Sequence, residues 1–192
     1  MKKITLGIFA LLFSVVISHA QHVGTIDITG NVNYQHLFMK DNSDAMKYSG
    51  GFIMQLGADY MISDTFYTGA ALGFALSVIT SEIVGIDSWT EIYDLRLPLH
   101  VGVSSKDRKF TLDTGPFIDF SVGGKTEINY HDSSSEKSTT RLRDIDVNRV
   151  ALGWSVNAKV FENFKLGYGV ILTDSAYGKG CDTHFISLGW AF

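Results

Sequence analysis

The chain has 192 residues, enough for one domain with a sizeable interior. Its 16 Lys and Arg stand against 20 Asp and Glu, which leaves no basic excess to suggest nucleic acid. Phe (13), Tyr (8) and Gly (19) are plentiful, Pro is rare (2), and the single cysteine, Cys181, excludes an intramolecular disulfide.

The first segment stands apart from the rest. "MKK" is a positive start, "ITLGIFALLFSVVI" an apolar run, and "SHA" places Ser18 and Ala20 at the small-residue positions of a cleavage site. The run is shorter than the ~20 residues of a spanning helix. Residues 1–20 are therefore expected to be a signal peptide, cleaved after Ala20, and residues 21–192 a single exported domain. Removing Lys2 and Lys3 leaves 14 bases against 20 acids. No Cys sits at the cleavage site, so no lipid anchor is expected. After Ala20 there is no apolar run of about 18 residues, so a membrane could be crossed only by strands.

The remainder alternates with period two, the mark of strands with one apolar face. From Thr25, Ile26, Ile28, Val32 and Tyr34 oppose Asp27, Asn31, Asn33 and Gln35. Phe52, Met54, Leu56 and Tyr60 oppose Gly51, Gln55, Gly57 and Asp59. Phe66, Leu72, Phe74 and Leu76 oppose Gly69, Ala71, Gly73 and Ala75. Tyr93, Leu95, Leu97, Leu99 and Val101 oppose Asp94, Arg96 and His100. Phe110, Leu112, Ile118, Phe120 and Val122 oppose Asp113, Gly115, Asp119 and Ser121. Val150, Leu152, Trp154 and Val156 oppose Arg149, Gly153, Ser155, Asn157 and Lys159. Phe164, Leu166, Tyr168 and Val170 oppose Lys165, Gly167 and Gly169. Finally Ile186, Leu188, Trp190 and Phe192 oppose Ser187, Gly189 and Ala191.

These make eight strands of about ten residues. The intervening segments alternate in length: long at 39–47, 79–88, 123–146 and 173–182, short at 61–65, 104–109 and 161–163. That is the plan of an eight-stranded antiparallel up-and-down transmembrane β-barrel, with long loops at one end and tight turns at the other. A soluble barrel of the same strand number would point its apolar face inward. Here the polar face is mostly Gly, Ala, Ser and Asn, which suits a narrow lumen, and the apolar face suits lipid. Ten residues tilted by about 45° rise roughly 23 Å, close to the apolar band of such barrels. Tyr60, Phe66, Phe110, Phe164, Trp190 and Phe192 collect at the short-turn side as an interfacial girdle. Pro98 and Pro116 lack ladder donors, and a local bulge there competes with simple tolerance.

An inward polar face brings Asp27, Asp59, Asp94, Asp113 and Asp119 into the lumen with Arg96, Arg149, Lys159 and Lys165, His100 beside them. Buried charges need partners, so an interior network is expected, with Asp113 serving Lys159 and Lys165 and a salt-bridge plug in the turn-side half.

The stretches "DLRLPLHVG" (94–102), "GPFIDFSVGGK" (115–125), "FENFKLGYGVILTD" (161–174) and the terminal "SLGWAF" resemble the small eight-stranded outer-membrane barrels, the porin-family or opacity-type β-barrel domain. With the signal peptide the resemblance covers essentially the whole chain. It implies an outer-membrane location with both termini periplasmic, contact with outer-membrane lipid, and insertion by the barrel-assembly machinery. That machinery reads a last strand ending in an aromatic, which Leu188, Trp190 and Phe192 match.

An enzyme is not expected. Some barrels of this size modify lipid A with a Ser and a His on one face, but His184 and Ser187 are three apart and so on opposite faces. His36, His131 and His184 read as residues of the long connections or their borders. No metal-ligand spacing or phosphate loop occurs, so no cofactor or metal is expected. Cys181 reads as an inert thiol. The expected role is a structural or surface-interaction barrel with a side-chain-filled interior, meeting an extracellular partner chiefly through 123–146. A narrow solute channel is the alternative, and a lipid A-modifying enzyme a weaker one.

Overall fold

The computed structural model describes residues 23–39, 46–83, 86–105, 107–130, 137–144, 147–161 and 163–192. The expected signal peptide and His131 lie outside them. The elements are β1 (Ile26–Met39), β2 (Met46–Met61), β3 (Phe66–Ile83), β4 (Ile86–Ser104), β5 (Thr111–Tyr130), β6 (Lys137–Arg141), a short 3-10 turn (Leu142–Asp144), β7 (Val150–Val160), β8 (Phe164–Ile171) and β9 (Thr183–Ala191). All pairings are antiparallel, in the order β1-β2-β3-β4-β5-β7-β8-β9, and β9 returns to β1. Eight strands thus close a ring. The ninth, β6, pairs only with the far half of β5.

The closure has a definite stagger. Directly paired outward residues run Ile26, Tyr60, Thr68, Val101, Thr114, Val156, Tyr168, Ile186 and back to His36. One circuit therefore advances ten residues along β1, from 26 to 36, and tilts every strand to the barrel axis. The sequence's last residue completes the seam. Phe192 and Gly30 exchange both backbone hydrogen bonds at 2.9 Å. The Phe192 ring lies across Gly30, where a Cβ would meet it at 2.7 Å. An aromatic laid over a glycine shields backbone that would otherwise be bare.

The short connections sit where the lengths place them, at one end (the turn end). At 62–65 the amides of Ile62 and Ser63 donate to the carbonyl of Phe66, and at 105–110 Ser105 donates to that of Phe110 (2.8 Å). Arg108 and Phe161 take positive φ (54° and 53°) in their turns.

At the other end, the loop end, the strands outrun the expected loops. β3 and β4 stay paired to Ile83 and Ile86, and β4 and β5 to Ile86 and Tyr130. Segments 79–88 and 123–146 are thus largely hairpin arms rather than loops. The apolar alternation stops near Tyr93, because only the lipid-facing part needs it; backbone pairing carries on roughly 20 Å further along the strand.

The prolines do not produce the bulge. Register is unchanged on either side of Pro98, where only a few ladder pairs are missing. The irregularity in β4–β5 lies between Tyr93, paired with Gly123, and Asp94, paired with Ser121, which leaves Val122 as the extra residue. Gly124 has φ 155°, and a Cβ there would strike the carbonyl of Glu91. The extra residue inverts the facing of β5. Even-numbered residues point outward up to Val122, while above the bulge Lys125 and Glu127 share the outward face of Glu91.

Candidate functional site: the barrel lumen

The lumen is divided along its axis. The middle and loop-end half are packed. Arg96 on β4 sits directly opposite Asp119 on β5, and its Nε and Nη2 donate to the two carboxylate oxygens at 2.6 and 2.7 Å. Both residues are buried, at 4% and 1% exposure. The guanidinium lies between two aromatic faces, 4.4 Å from the centre of Phe117 and 4.8 Å from that of Phe185. Such a stack holds the charge over ring π-density while the fork stays free for the carboxylate.

Asp94 is served differently. Ser121 donates to its Oδ1 at 2.6 Å, and the Tyr177 hydroxyl donates to its Oδ2. The Tyr177 oxygen is 3.0 Å from that of Ser77, which accepts from Gln35 Nε2 at 3.0 Å. With the one phenolic hydrogen committed to Asp94, Ser77 donates to Tyr177. The relay runs Gln35, Ser77, Tyr177, Asp94, each bond polarising the next. Gln35 Oε1 lies 3.5 Å from Arg96 Nη1 and joins the two clusters.

Tyr177 comes from the segment between β8 and β9, read from sequence as an outer loop. A bridge between Ser175 and Gly178 folds that segment down into the barrel, leaving Tyr177 5% exposed. Leu37, Ile92, Phe117, Ile171, Phe185 and Leu142 of the 3-10 turn pack with it. This apolar layer was missed by the two-face reading. The signal was present: "HLFM", "GFIM", "PFI" and "VIL" are apolar runs that ignore the alternation, the first putting two apolar side chains inward, Leu37 and Met39, and the others one each.

The small residues prove to be landing sites. Phe117 is paired with Gly153, Phe185 with Gly169, and Tyr67 with Gly102, and in each case a Cβ on the glycine would collide with the ring. The same device lets Asp59 and His100 meet across Gly69, which lies between them in register. A narrow barrel can hold large interior groups only where the neighbouring strand yields its side-chain volume.

The turn-end half is a cavity of about 790 Å³ beneath the Arg96 layer. Its acids have near partners. Asp59 accepts from His100 at 2.8 Å. Asp27 pairs with Arg108 at 2.6 Å, a residue of the 105–110 turn not counted as interior from sequence. Asp113 accepts from Asn157 at 2.8 Å and Tyr67 at 3.4 Å. Lys159 and Lys165 face each other in register on the cavity wall. The structure thus places the most deeply buried salt bridge, Arg96 with Asp119, in the middle of the barrel, leaves Asp27–Arg108 in the turn-side half, and gives Asp113 the uncharged donors Asn157 and Tyr67. Arg149 is a correction. It precedes β7, its carbonyl still accepts from the amide of Ser121 on β5 at 2.8 Å, but its side chain is exposed and donates to the carbonyl of Arg143 at 3.0 Å, outside the lumen network.

Outside, the distribution is inverted relative to a water-soluble protein. Ile26, Phe52, Leu72, Leu99, Val101, Leu152, Leu188 and Trp190 are exposed, while Gln35, Ser77, Asp94 and Asp119 are buried. A continuous apolar belt around a closed sheet has no role in water, and lipid is the solvent that it fits.

The chain is an eight-stranded β-barrel of the outer-membrane type. No family model and no curated protein matches the sequence. Among solved structures it is similar to Ail, the attachment invasion locus protein of Yersinia pestis (14% identity over 89% of this chain and 100% of that one, TM-score 0.46). It is also similar to Neisserial surface protein A (11%, 87% and 96%, TM-score 0.44) and to OprG from Pseudomonas aeruginosa (10%, 90% and 98%, TM-score 0.43).

Beyond the belt, this outer-membrane-type barrel carries an ionic lattice on its extended sheet. Glu127 takes Lys137 at 2.6 Å and Lys125 at 2.9 Å, and Glu91 lies 3.8 Å from Lys125. Hydrogen bonds from Lys137 and Lys125 hold the Glu127 carboxyl below its ordinary range, and the Tyr93 hydroxyl does the same for Glu91. His184 points outward, its Nδ1 2.6 Å from the Tyr168 hydroxyl, whereas Ser187 is buried inside. The barrel wall separates the two. Among the described residues no group of His, Cys, Asp and Glu is placed to hold a metal. Cys181 is exposed at the loop end.

Proposed function

We propose that the protein is a non-enzymatic surface-interaction barrel, not a diffusion pore. Its turn end and both termini face the periplasm, and the extended β3–β4–β5–β6 sheet stands outside the cell, where an extracellular partner meets it. The observation that carries this reading is the packed layer of Arg96, Asp119, Phe117, Phe185 and Tyr177 across the lumen. A layer of this kind blocks solute passage while costing the outer sheet nothing in reach. Insertion by the barrel-assembly machinery through Leu188, Trp190 and Phe192 belongs to the same proposal. The narrow-channel reading draws on the cavity below the layer.

Planar-bilayer recording of the refolded protein separates the two. Only brief, small events are expected, and a steady large conductance overturns the plugged reading. Orientation has a native reporter in Cys181. A membrane-impermeant maleimide should label it in intact cells. Labelling only after lysis would reverse the proposed topology.

A further inference from the structure

Trp89 is 43% exposed on the outward face of β4. Tyr93, at which the apolar alternation of β4 ends, lies four residues nearer the turn end. Trp89 therefore stands about 13 Å further along the strand than the lipid-facing run, beyond the interface where a girdle indole belongs.

Its ring is fixed in advance. Trp89 Nε1 donates to Glu91 Oε1 at 3.0 Å and the Tyr93 hydroxyl donates to Oε2 at 2.7 Å, so one carboxylate holds both aromatic side chains. Among the described residues no other ring and no cation is stacked on the indole. The directly paired row on this face runs Thr80 on β3, Trp89 on β4, Glu127 on β5 and Thr139 on β6. It is about 14 Å across, three strand spacings. Glu127 carries Lys137 and Lys125 at 2.6 and 2.9 Å. The indole is thus one apolar platform set among hydroxyls, carboxylates and ammonium groups on a paired sheet.

That combination selects a class of partner. A protein hot spot fills a pocket within a wider contact area, and here the apolar surface is a single ring. A pyranose ring is matched to it: one face presents C–H bonds to an aromatic face, and the rim presents hydroxyls that donate and accept. Glu127 accepts, Lys137 donates, and Thr80 and Thr139 do both. An indole already held by Glu91 also loses little freedom on binding.

We propose that the outward face of the extended sheet is a glycan-binding site, with a hexopyranose unit stacked on Trp89 and its hydroxyls directed to Glu127, Lys137, Thr80 and Thr139. The site rests on the surface-interaction reading above and gives that reading its partner class.

The test is titration of the full refolded barrel in lipid nanodiscs with cellohexaose, mannohexaose and chitohexaose, sulfated dextran being the charge control. Binding is read by calorimetry and by iodide quenching of tryptophan. Trp154 and Trp190 belong to the apolar belt, so the aqueous quencher reports on Trp89. Saturable binding of at least one neutral hexasaccharide is expected, with protection from iodide. Trp89→Ala should weaken it by at least about tenfold, and Trp89→Tyr should recover part of the loss. Retained heat-modifiable migration on gels shows that each variant is folded. No saturable binding of any neutral hexasaccharide, unchanged affinity in Trp89→Ala, or binding of sulfated dextran alone would overturn the proposal. Failure of binding refutes the glycan site alone, whereas labelling of Cys181 only after lysis refutes the surface reading on which it rests.

Discussion

Asp119→Ala isolates the central ion pair. It removes the acceptor of two charge-assisted hydrogen bonds at 2.6 and 2.7 Å and leaves Arg96 with Gln35 Oε1 at 3.5 Å on that side. Both partners are nearly inaccessible, so the guanidinium stays desolvated without its counter-charge. Breaking a buried pair in this way costs about 3–5 kcal/mol. Arg96 also borders the turn-end cavity, so water can reach one side of it, and the lower figure of about 3 kcal/mol applies. Arg96→Met with Asp119→Leu removes both charges and leaves an apolar group between Phe117 and Phe185. That double variant should lie within about 1 kcal/mol of the wild type, since apolar replacement of a buried pair is often neutral. A cycle of Asp119→Leu, Arg96→Met and their double variant, in which each single strands one buried charge as Asp119→Ala does, therefore predicts a coupling of about 2 kcal/mol or more. The assay is urea unfolding of protein inserted in lipid vesicles, followed by tryptophan fluorescence. A cost below about 1 kcal/mol for Asp119→Ala, or single effects that simply add in the double variant, would refute the reasoning.

Gly153→Ala places a methyl group where the Phe117 ring lies, and should destabilise the barrel by about 1–3 kcal/mol in the same unfolding assay. Equal stability would mean that the ring has room to move and that the glycine is not its landing site. The pH dependence of the outer sheet follows from Glu127 and Glu91, whose carboxyls are held low by Lys137 with Lys125 and by Tyr93. Groups with depressed values stabilise above the ordinary glutamate range of about 4.3, and that contribution is lost as pH falls through the lowered folded value. Hydrogen exchange of the β5–β6 amides, corrected for its intrinsic pH dependence, should thus speed up selectively in acid; uniform behaviour across the barrel would count against the lattice. Deleting Phe192 removes both backbone bonds to Gly30 and the ring that covers it. It should impair membrane insertion more than substitution of any loop residue, measured by the heat-modifiable band, and unaltered assembly would end that part of the proposal.

Strand number, the apolar exterior and the alternation of turns and loops follow from the sequence alone, because lipid imposes one rule on every strand: outward positions apolar, backbone fully paired. That rule is local and repeats at every second residue, so Ile26 or Leu188 can be placed without knowing a neighbour. Loop-end extent was not legible, since above the belt β3, β4 and β5 stay paired without any alternation to mark them. Nor were the lumen's partnerships. Whether Asp113 meets a lysine or Asn157, and whether Arg96 meets Asp119, depends on the stagger of ten residues per circuit and on the β4–β5 register, properties of the closed ring. Tyr177 is the extreme case. Its place inside the barrel is decided by a segment folding back through the mouth, and it binds Ser77, 100 positions earlier in the chain. A period of two says which way a side chain points, while closure of the sheet decides what it finds there.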